Sequence, residues 1–389
     1  MRVRRCALVT LEPRERIDFD LLDFVEGGSG LATGMEWVAI VPHAATSITV
    51  SAHEAVALGE ISPTEWNERA TLENRFASDV LDGLVAKGLL VAEGSDEAAR
   101  DERVRETRWR PESAALHYAS RWRGVDADAT QRDLGERYGA TLLDKLGPVP
   151  PPVREHATRD QRIPLVAVEP TPLDALLDGR VTCRNFDAAR ALPAAAFAAV
   201  LYRAFGARAV DDYAPGVQLL KKGVPSAGGL HPTEAYLLVQ RVDVIAAGLY
   251  HYHAIDHALE PIRLLTADEA NAHARTFVGS QPYFLDAPVF VIPVTRFRRN
   301  FWKYRNHAKA YRALVLDVGH LSQTLYLAAT ELGLAAFITA AINEVDIEVA
   351  FGLDPLDEGP LAVCGFGYRA CERGEVEFDP RNAVWPATG

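Results

Sequence analysis

Residues 311–337 read YRALVLDVGHLSQTLYLAATELGLAAF, and this run restricts the fold more than any other stretch of the chain. Leu314, Leu321, Leu325 and Ala328 fall on one helical stripe, and Val318, Tyr326 and Ala329 broaden it. A helix apolar nearly all round belongs at the centre of a large domain. Short apolar strands accompany it: AYLLVQRV (235–242), PVFVIPV (288–294) and GPLAVCGFGY (359–368). The expectation from about residue 166 onward is an α+β domain, a sheet covered by helices.

The whole chain has 389 residues, too many for one ordinary domain. Its first hundred residues read as a separate unit, 1–100, with nine Lys/Arg against seventeen Asp/Glu. WVAIVP (37–42) and SITVSA (47–52) are β-like, EAVALGEI (54–61) follows, and Phe76, Val80, Leu81, Leu84 and Val85 recur at helical spacing. Gly88 stops that helix, and LLVAE reads as a strand. Helix, helix, strand is the outline of a winged helix. The acidic balance and the lack of a basic recognition helix argue against DNA and for a protein- or peptide-binding module. The alternative is an appendage serving only dimerisation.

Residues 101–165 are rich in charge and then in proline. SDEAARDERVRETRWRPES reads as a solvated helix or loop, and 115–146 as one or two amphipathic helices. GPVPPPVREHATRDQRIP (147–164) reads as an extended linker. The expected domains are therefore 1–100, a linker over 101–165, the main domain over 166–375 and a tail over 376–389.

The net charge of −12 argues against a general nucleic-acid or anionic-membrane partner. No run reaches the length of a membrane span or a signal peptide. Four dispersed cysteines, with no CxxC pair, fit a reducing compartment and no structural zinc. The expectation is a cytoplasmic protein.

Three stretches carry chemistry. GVPSAGGLHPTEAY (223–236) is neither a Rossmann turn nor a P-loop. It is a small-residue loop whose backbone can approach a flat ligand closely, although an ordinary turn has the same composition. In RVTCRNF (180–186), Arg180, Thr182 and Arg184 are of the types that hold phosphate. Arg369 follows a glycine-rich strand end. TRFRRNFWKYRNHAKAYR (295–312) is basic and aromatic.

These motifs resemble, in order, those of the nitroreductase superfamily of flavoproteins. RVTCRNF is similar to the family's RRSxRxF opening. GVPSAGGLHPTEAYLLV, GLYHYHAIDHAL and the long helix resemble the azoline-dehydrogenase, SagB-type, branch. The resemblance covers roughly residues 170–370 and implies FMN. It implies that Arg180, Thr182 and Arg184 hold the phosphate and ribityl end, with Val181 in place of a second arginine. It places Pro225, Ser226, Ala227, Gly228 and Gly229 along the isoalloxazine edge, and Gln323 where the central helix nears the cofactor. Ile338 and Thr339, in FITAA (337–341), stand where the family carries a glycine-rich turn, and Arg369 is a last phosphate ligand. Lys303-Tyr304 matches the branch's Lys-Tyr pair.

The implied reaction is oxidation of an azoline to an azole in a ribosomally made peptide. It removes a hydride and a proton, and the proton needs a base. Lysine serves if burial or positive neighbours lower its pKa; Arg299, Arg305 and Lys309 are candidate neighbours, and Tyr304 is a relay or the base itself. His231 is a candidate substrate contact. His251, His253 and His257 read as surface histidines rather than a metal site. His320 reads as a core histidine, and Cys183 as a packed side chain. The partners expected are a precursor peptide, a cyclodehydratase and a second copy of the chain. The competing readings are an NAD(P)H-dependent nitro- or ene-reductase and a catalytically silent peptide-binding scaffold.

Overall fold

The structure is a computed structural model that describes every residue except 45, 134–138 and 386–389. Parts of the expected 115–146 helices and of the 376–389 tail therefore lie outside the described residues.

The strands are β1 (Arg2–Arg5), β2 (Thr10–Phe19), β3 (Leu31–Val41), β4 (Thr46–Val50), β5 (Asn67–Glu68), β6 (Leu90–Ala92), β7 (Ala209–Ala214) and β8 (Val217–Lys221). They continue as β9 (Thr233–Val239), β10 (Gly248–His253), β11 (Ala258–Leu264), β12 (Val289–Arg296), β13 (Ala335–Thr339), β14 (Glu358–Pro360) and β15 (Val363–Gly367). The main sheet has the order β11-β10-β9-β12-β15-β13, with β14 beside β12. All its paired strands are antiparallel.

The central strands β9, β12 and β15 are buried on both faces, which is why they read as apolar runs, whereas the edge strand β11 is largely exposed. Along β12, Val289 and Val291 join the core under helices Ala194–Phe205 and Lys309–Glu331. Phe290, Ile292 and Val294 join the opposite core, under Ala267–Phe277 and Glu344–Phe351. That is the period-two alternation of a strand. The sheet is closed tightly at Gly365, where a Cβ would stand 2.3 Å from the Phe337 ring.

The long helix spans Lys309–Glu331, and its Leu314, Val318, Leu321, Leu325, Tyr326, Ala328 and Ala329 are buried as expected. It is not buried all round. Val315 is 51% exposed and Leu316 60%, and Gly319, His320 and Gln323 continue that open stripe. His320 therefore faces outward, contrary to the reading as a core histidine, because it stands on the side opposite the apolar stripe.

In the N-terminal unit, helices Ala52–Glu60 and Ser78–Ala86 and strand β6 lie where the sequence pointed. β1 joins β5 and β6 in one sheet, and β2-β3-β4 forms another. WVAIVP and SITVSA do form the inner half of β3 and most of β4, but β2 and the outer half of β3 were not foreseen: they are mostly exposed and lack hydrophobic alternation. Nor is 95–113 simply solvated. Helix Asp96–Thr107 buries Asp101, which accepts from Arg4 at 2.6 Å and from the Ala7 N–H at 2.5 Å. Helix Pro111–Ala119 follows, and residues 148–170 then run without regular strand, with Ile163 89% and Leu165 92% exposed. Among the described residues no helix is long and apolar enough to cross a membrane.

Candidate functional site

The loop 223–231 is held by a residue that sequence reading passed over. Asp317, on the long helix, accepts from Ser226 Oγ at 2.5 Å and from the Ala227 N–H at 3.2 Å. Ser226 Oγ in turn accepts from the His231 N–H at 3.0 Å. Burial pushes the Asp317 carboxyl up, opposed by those two hydrogen bonds. The clamp fixes a turn whose Gly228 (φ 61°) and Gly229 (φ 69°) are left-handed, as glycine permits. His231 is also left-handed, at φ 43°.

Opposite the turn lies helix Phe297–Tyr304. A Cβ on Gly228 would stand 2.6 Å from Lys303 Nζ and 2.6 Å from Tyr304 Oη. The two side chains converge on a loop position that has no side chain to obstruct them. Gly229 has nothing within 4 Å of its missing Cβ.

What aims that helix is the N-terminal part of the chain. Phe297 and Phe301 are buried against Trp109, at centroid distances of 4.7 Å and 5.0 Å. Trp109 Nε1 donates to the Leu356 carbonyl at 2.9 Å, and Tyr118 Oη to the Pro355 carbonyl at 2.7 Å. Arg103 spans Asp354, at 2.5 Å, and Asp357. Aromatic packing thus grips the buried face of the helix while Lys303 stays on its open side. The burial expected to tune Lys303 is absent. Its intended neighbours are turned elsewhere: Arg299 donates to the Leu230 carbonyl at 2.6 Å, and Arg305 to the Trp302 carbonyl at 2.8 Å.

The buried lysine near the loop is Lys222, at 2% exposure, with its pKa lowered by burial to about 8. Burial, then Lys222 and Arg299, lower the His231 pKa to about 4, so this imidazole is neutral at pH 7. Lys222 sits one residue before the quoted loop, and nothing in its flanking sequence distinguishes it from a surface lysine.

RVTCRNF lies along β13: Thr182 bridges Ala336, and the Cys183 N–H donates to the Ala336 carbonyl at 2.9 Å. Ile338 and Thr339 stand further along the same strand, paired to Cys364 and Val363 of β15. Thr182 Oγ1 lies 3.0 Å from Tyr326 Oη, and Arg180 stands 5.4 Å from the Tyr326 ring centre. Arg184 points elsewhere, to the Val376 carbonyl at 3.3 Å and the Tyr283 ring at 5.6 Å. Thr339 Oγ1 is engaged by Gln281 at 3.3 Å and by the Ala341 N–H at 3.2 Å. Gln323 is exposed on the long helix, and Pro225 is exposed at the loop. Cys183 is buried with its pKa raised by that burial, which agrees with a packed side chain.

Arg369 does come to this motif, donating to the Val181 carbonyl at 3.3 Å, but its charge is already matched. The fully buried Glu377 accepts from Arg369, from the Arg184 N–H at 2.6 Å, from the Asn185 N–H at 3.1 Å and from Trp385 Nε1 at 2.7 Å. Glu377 lies in the segment read as a tail; Arg369 and Trp385 are eight residues away, but the two backbone N–H groups it accepts from are more than 190 residues away.

The histidines of the β10–β11 hairpin are accounted for by local partners. His251 lies between Glu260, at 2.6 Å, and Glu234, at 3.1 Å. His257 Nδ1 lies 2.7 Å from Tyr252 Oη.

A sheet with this long helix on one face and these motifs at its edge defines a class. Residues 177–368 match the model of the nitroreductase family, and this part of the chain is a nitroreductase-family domain. Three curated relatives are similar to it. The trifolitoxin-processing protein TfxB of Rhizobium leguminosarum bv. trifolii is 32% identical over 41% of this chain and 43% of its own length. The protein MJ1384 of Methanocaldococcus jannaschii, provisionally named a nitroreductase, is 32% identical over 32% and 61%. The microcin B17-processing protein McbC of Escherichia coli is 28% identical over 38% and 54%. The chain thus spans less than two thirds of each of these relatives. The E. coli microcin synthetase McbBCD complex with truncated pro-MccB17 aligns over 69% of this chain and 97% of that one, at 21% identity and a TM-score of 0.49.

The residues at the loop fit a flavin. Gly229, with nothing within 4 Å of its missing Cβ, leaves bare backbone open to a flat ring, Lys303 and Tyr304 end against Gly228, and Arg180 and Thr182 are of the types that hold phosphate. Arg369 does not count among the free ones.

Proposed function

We propose that the chain is an FMN-dependent dehydrogenase that oxidises azoline rings to azoles in a ribosomally made precursor peptide. One observation carries this reading: Lys303 Nζ and Tyr304 Oη converge on the missing Cβ of Gly228. A base and a proton relay belong at a bare backbone edge if a ring is to be oxidised there. The names of TfxB and McbC, both processing proteins of peptide products, support a peptide as substrate.

When bound, FMN supplies the two-electron acceptor for the hydride. The chain's own groups do the rest. Arg180 and Thr182 would hold the phosphate and ribityl end, and the clamped loop from Pro225 to Gly229 would lie along the ring edge. Lys303 takes the proton from the carbon adjacent to the one losing hydride, with Tyr304, whose ring centre is 5.6 Å from Lys303 Nζ, as relay. Lys303 is exposed in the single chain. The azoline must first be made by dehydrative cyclisation, so a cyclodehydratase is the upstream partner. The open stripe of Val315 and Leu316 and the exposed 163–168 segment suit a second copy of the chain, making the working form a homodimer. The N-terminal unit, braced on the Lys303 helix, orients the peptide.

The similarity to MJ1384 favours one competitor, an NAD(P)H-dependent reductase. Anaerobic mixing with NADPH separates the two. The dehydrogenase keeps its yellow colour, and rapid bleaching shows a reductase instead.

A further inference from the structure

A cleft of about 450 Å³ opens beside the site, between the β7–β8 hairpin and helix Phe297–Tyr304. Gln218, Leu230, Arg298, Arg299, Trp302 and Glu358 are among its lining residues. Its charges are not balanced. Arg296 is spent on Glu234 at 2.9 Å, and Asp357 on Arg103. Arg299 has no ion pair with a carboxylate among the described residues: it donates to the carbonyls of Leu230, at 2.6 Å, and Gln218, at 3.2 Å. Arg298 is exposed and has neither an ion pair nor a hydrogen bond to any described residue. Two guanidiniums thus face one carboxylate without an ion pair, Glu358, whose own pKa burial pushes up. Trp302, 54% exposed, stands on the same helix face as Arg298, four residues on.

The walls also suit an extended chain. β7 and β8 form a two-stranded sheet, so each keeps one unpaired edge, and Gly216 to Leu219 of this hairpin line the cleft. An unpaired edge beside side-chain pockets is the recurring receptor for an extended peptide. Leu230, which lines the cleft and is bonded by Arg299, follows the Gly228 turn directly, so the cleft adjoins the loop on which Lys303 ends.

We infer that this cleft binds an acidic side chain of an extended peptide, its carboxylate on Arg298 and its aliphatic part on Trp302. Resting on the peptide-oxidation reading, the inference adds a sequence preference: an acidic residue near the ring to be oxidised. A guanidinium takes a carboxylate with two parallel hydrogen bonds, and neutral glutamine offers no such match.

The test is calorimetric titration of the full chain with a Gly/Ser heptapeptide carrying one central glutamate, and with its glutamine counterpart. The glutamate peptide is expected to bind roughly tenfold tighter, the scale of one charge-assisted hydrogen bond. Arg298→Gln is expected to erase the preference without changing the melting temperature, because Arg298 is exposed and unpaired. Equal binding of the two peptides, binding of neither, or a preference surviving in R298Q overturns the inference. So does an NADP⁺ affinity that falls in R298Q while the peptide preference is absent, which assigns the cleft to a dinucleotide phosphate. Binding is read without turnover. Azoline oxidation can therefore fail while the Arg298-dependent preference stands, which sinks only the oxidase reading.

Discussion

Lys303 Nζ lies 2.6 Å from the place where Gly228 would carry a Cβ, although 75 residues separate them (303 minus 228). The contact brings together the loop and the helix that the family resemblance had singled out independently. It also makes a sharp prediction. Gly228→Ala adds a methyl where Lys303 and Tyr304 end, and those flexible ends must move. Gly229→Ala meets open space. Both substitutions force alanine into left-handed backbone and should lose about 1–2 kcal/mol of stability. Only Gly228→Ala is expected to lose oxidation as well, by a hundredfold or more, within the range of a displaced general base. Melting curves beside peptide turnover separate the two effects.

Asp317 is expected to behave as a positioning residue. Asp317→Ala leaves Ser226 and the Ala227 N–H without their acceptor and should destabilise by about 1–3 kcal/mol. It frees the loop without touching Lys303. Weakened FMN affinity, restored in part by Asp317→Asn, distinguishes this role from that of a base, which asparagine cannot replace. The readout is equilibrium dialysis against FMN.

Glu377 pins the chain's end to the RVTCRNF motif. Glu377→Ala strips the partner from Arg369 and uncaps two backbone N–H groups, a loss of about 3–5 kcal/mol by analogy with broken buried ion pairs. Denaturant unfolding measures it. A loss below about 1 kcal/mol contradicts the buried role, since exposed pairs fall in that range.

His251 makes one part of stability depend on pH. Its pKa is raised, first by its hydrogen bond to Glu234 and then by Glu260 against the opposing effect of burial. The folded state therefore holds this proton more tightly than the unfolded chain. The contribution is complete below the unfolded value of about 6.5 and fades as pH rises through the higher folded value. The difference in melting temperature between wild type and His251→Gln should be larger at pH 6 than at pH 9. Glu234 works in the opposite direction. Its pKa is lowered to about 2, chiefly by His251 and Arg296 and against burial, so its contribution is full above the usual glutamate range and fades as pH falls toward 2.

The parts of this fold legible in the sequence are those buried on two sides. β9 and β12 were readable because both faces of each strand enter a core. GPLAVCGFGY was readable as extended, but it forms two strands, β14 and β15, paired to β12 at different registers. β2 and the outer half of β3 escaped because exposure on both sides leaves no alternation to read, whereas WVAIVP, the buried half of β3, was legible. Asp317 and Glu377 escaped for another reason: Asp317 holds a loop about 90 residues away, and Glu377 holds Arg369 and Trp385 nearby but also caps RVTCRNF about 190 residues away, and no local pattern marks either. The FWKYRNH segment showed the right residue types, but the aromatic grip of Trp109 on Phe297 and Phe301 is a tertiary fact. Lys303 and Lys222 make the same point in reverse. The lysine expected to be tuned by burial is open, and the buried one looked ordinary.

The central claim is that Lys303 and Tyr304 serve proton removal at the Gly228 edge. Its most direct test is mass spectrometry of an azoline-containing peptide incubated with the FMN-loaded protein in air. The expected product has lost two hydrogens per ring, and Lys303→Ala together with Tyr304→Phe abolishes that loss while FMN stays bound. Undiminished oxidation by this double variant, or FMN-loaded wild type that leaves the azoline unchanged, contradicts the account.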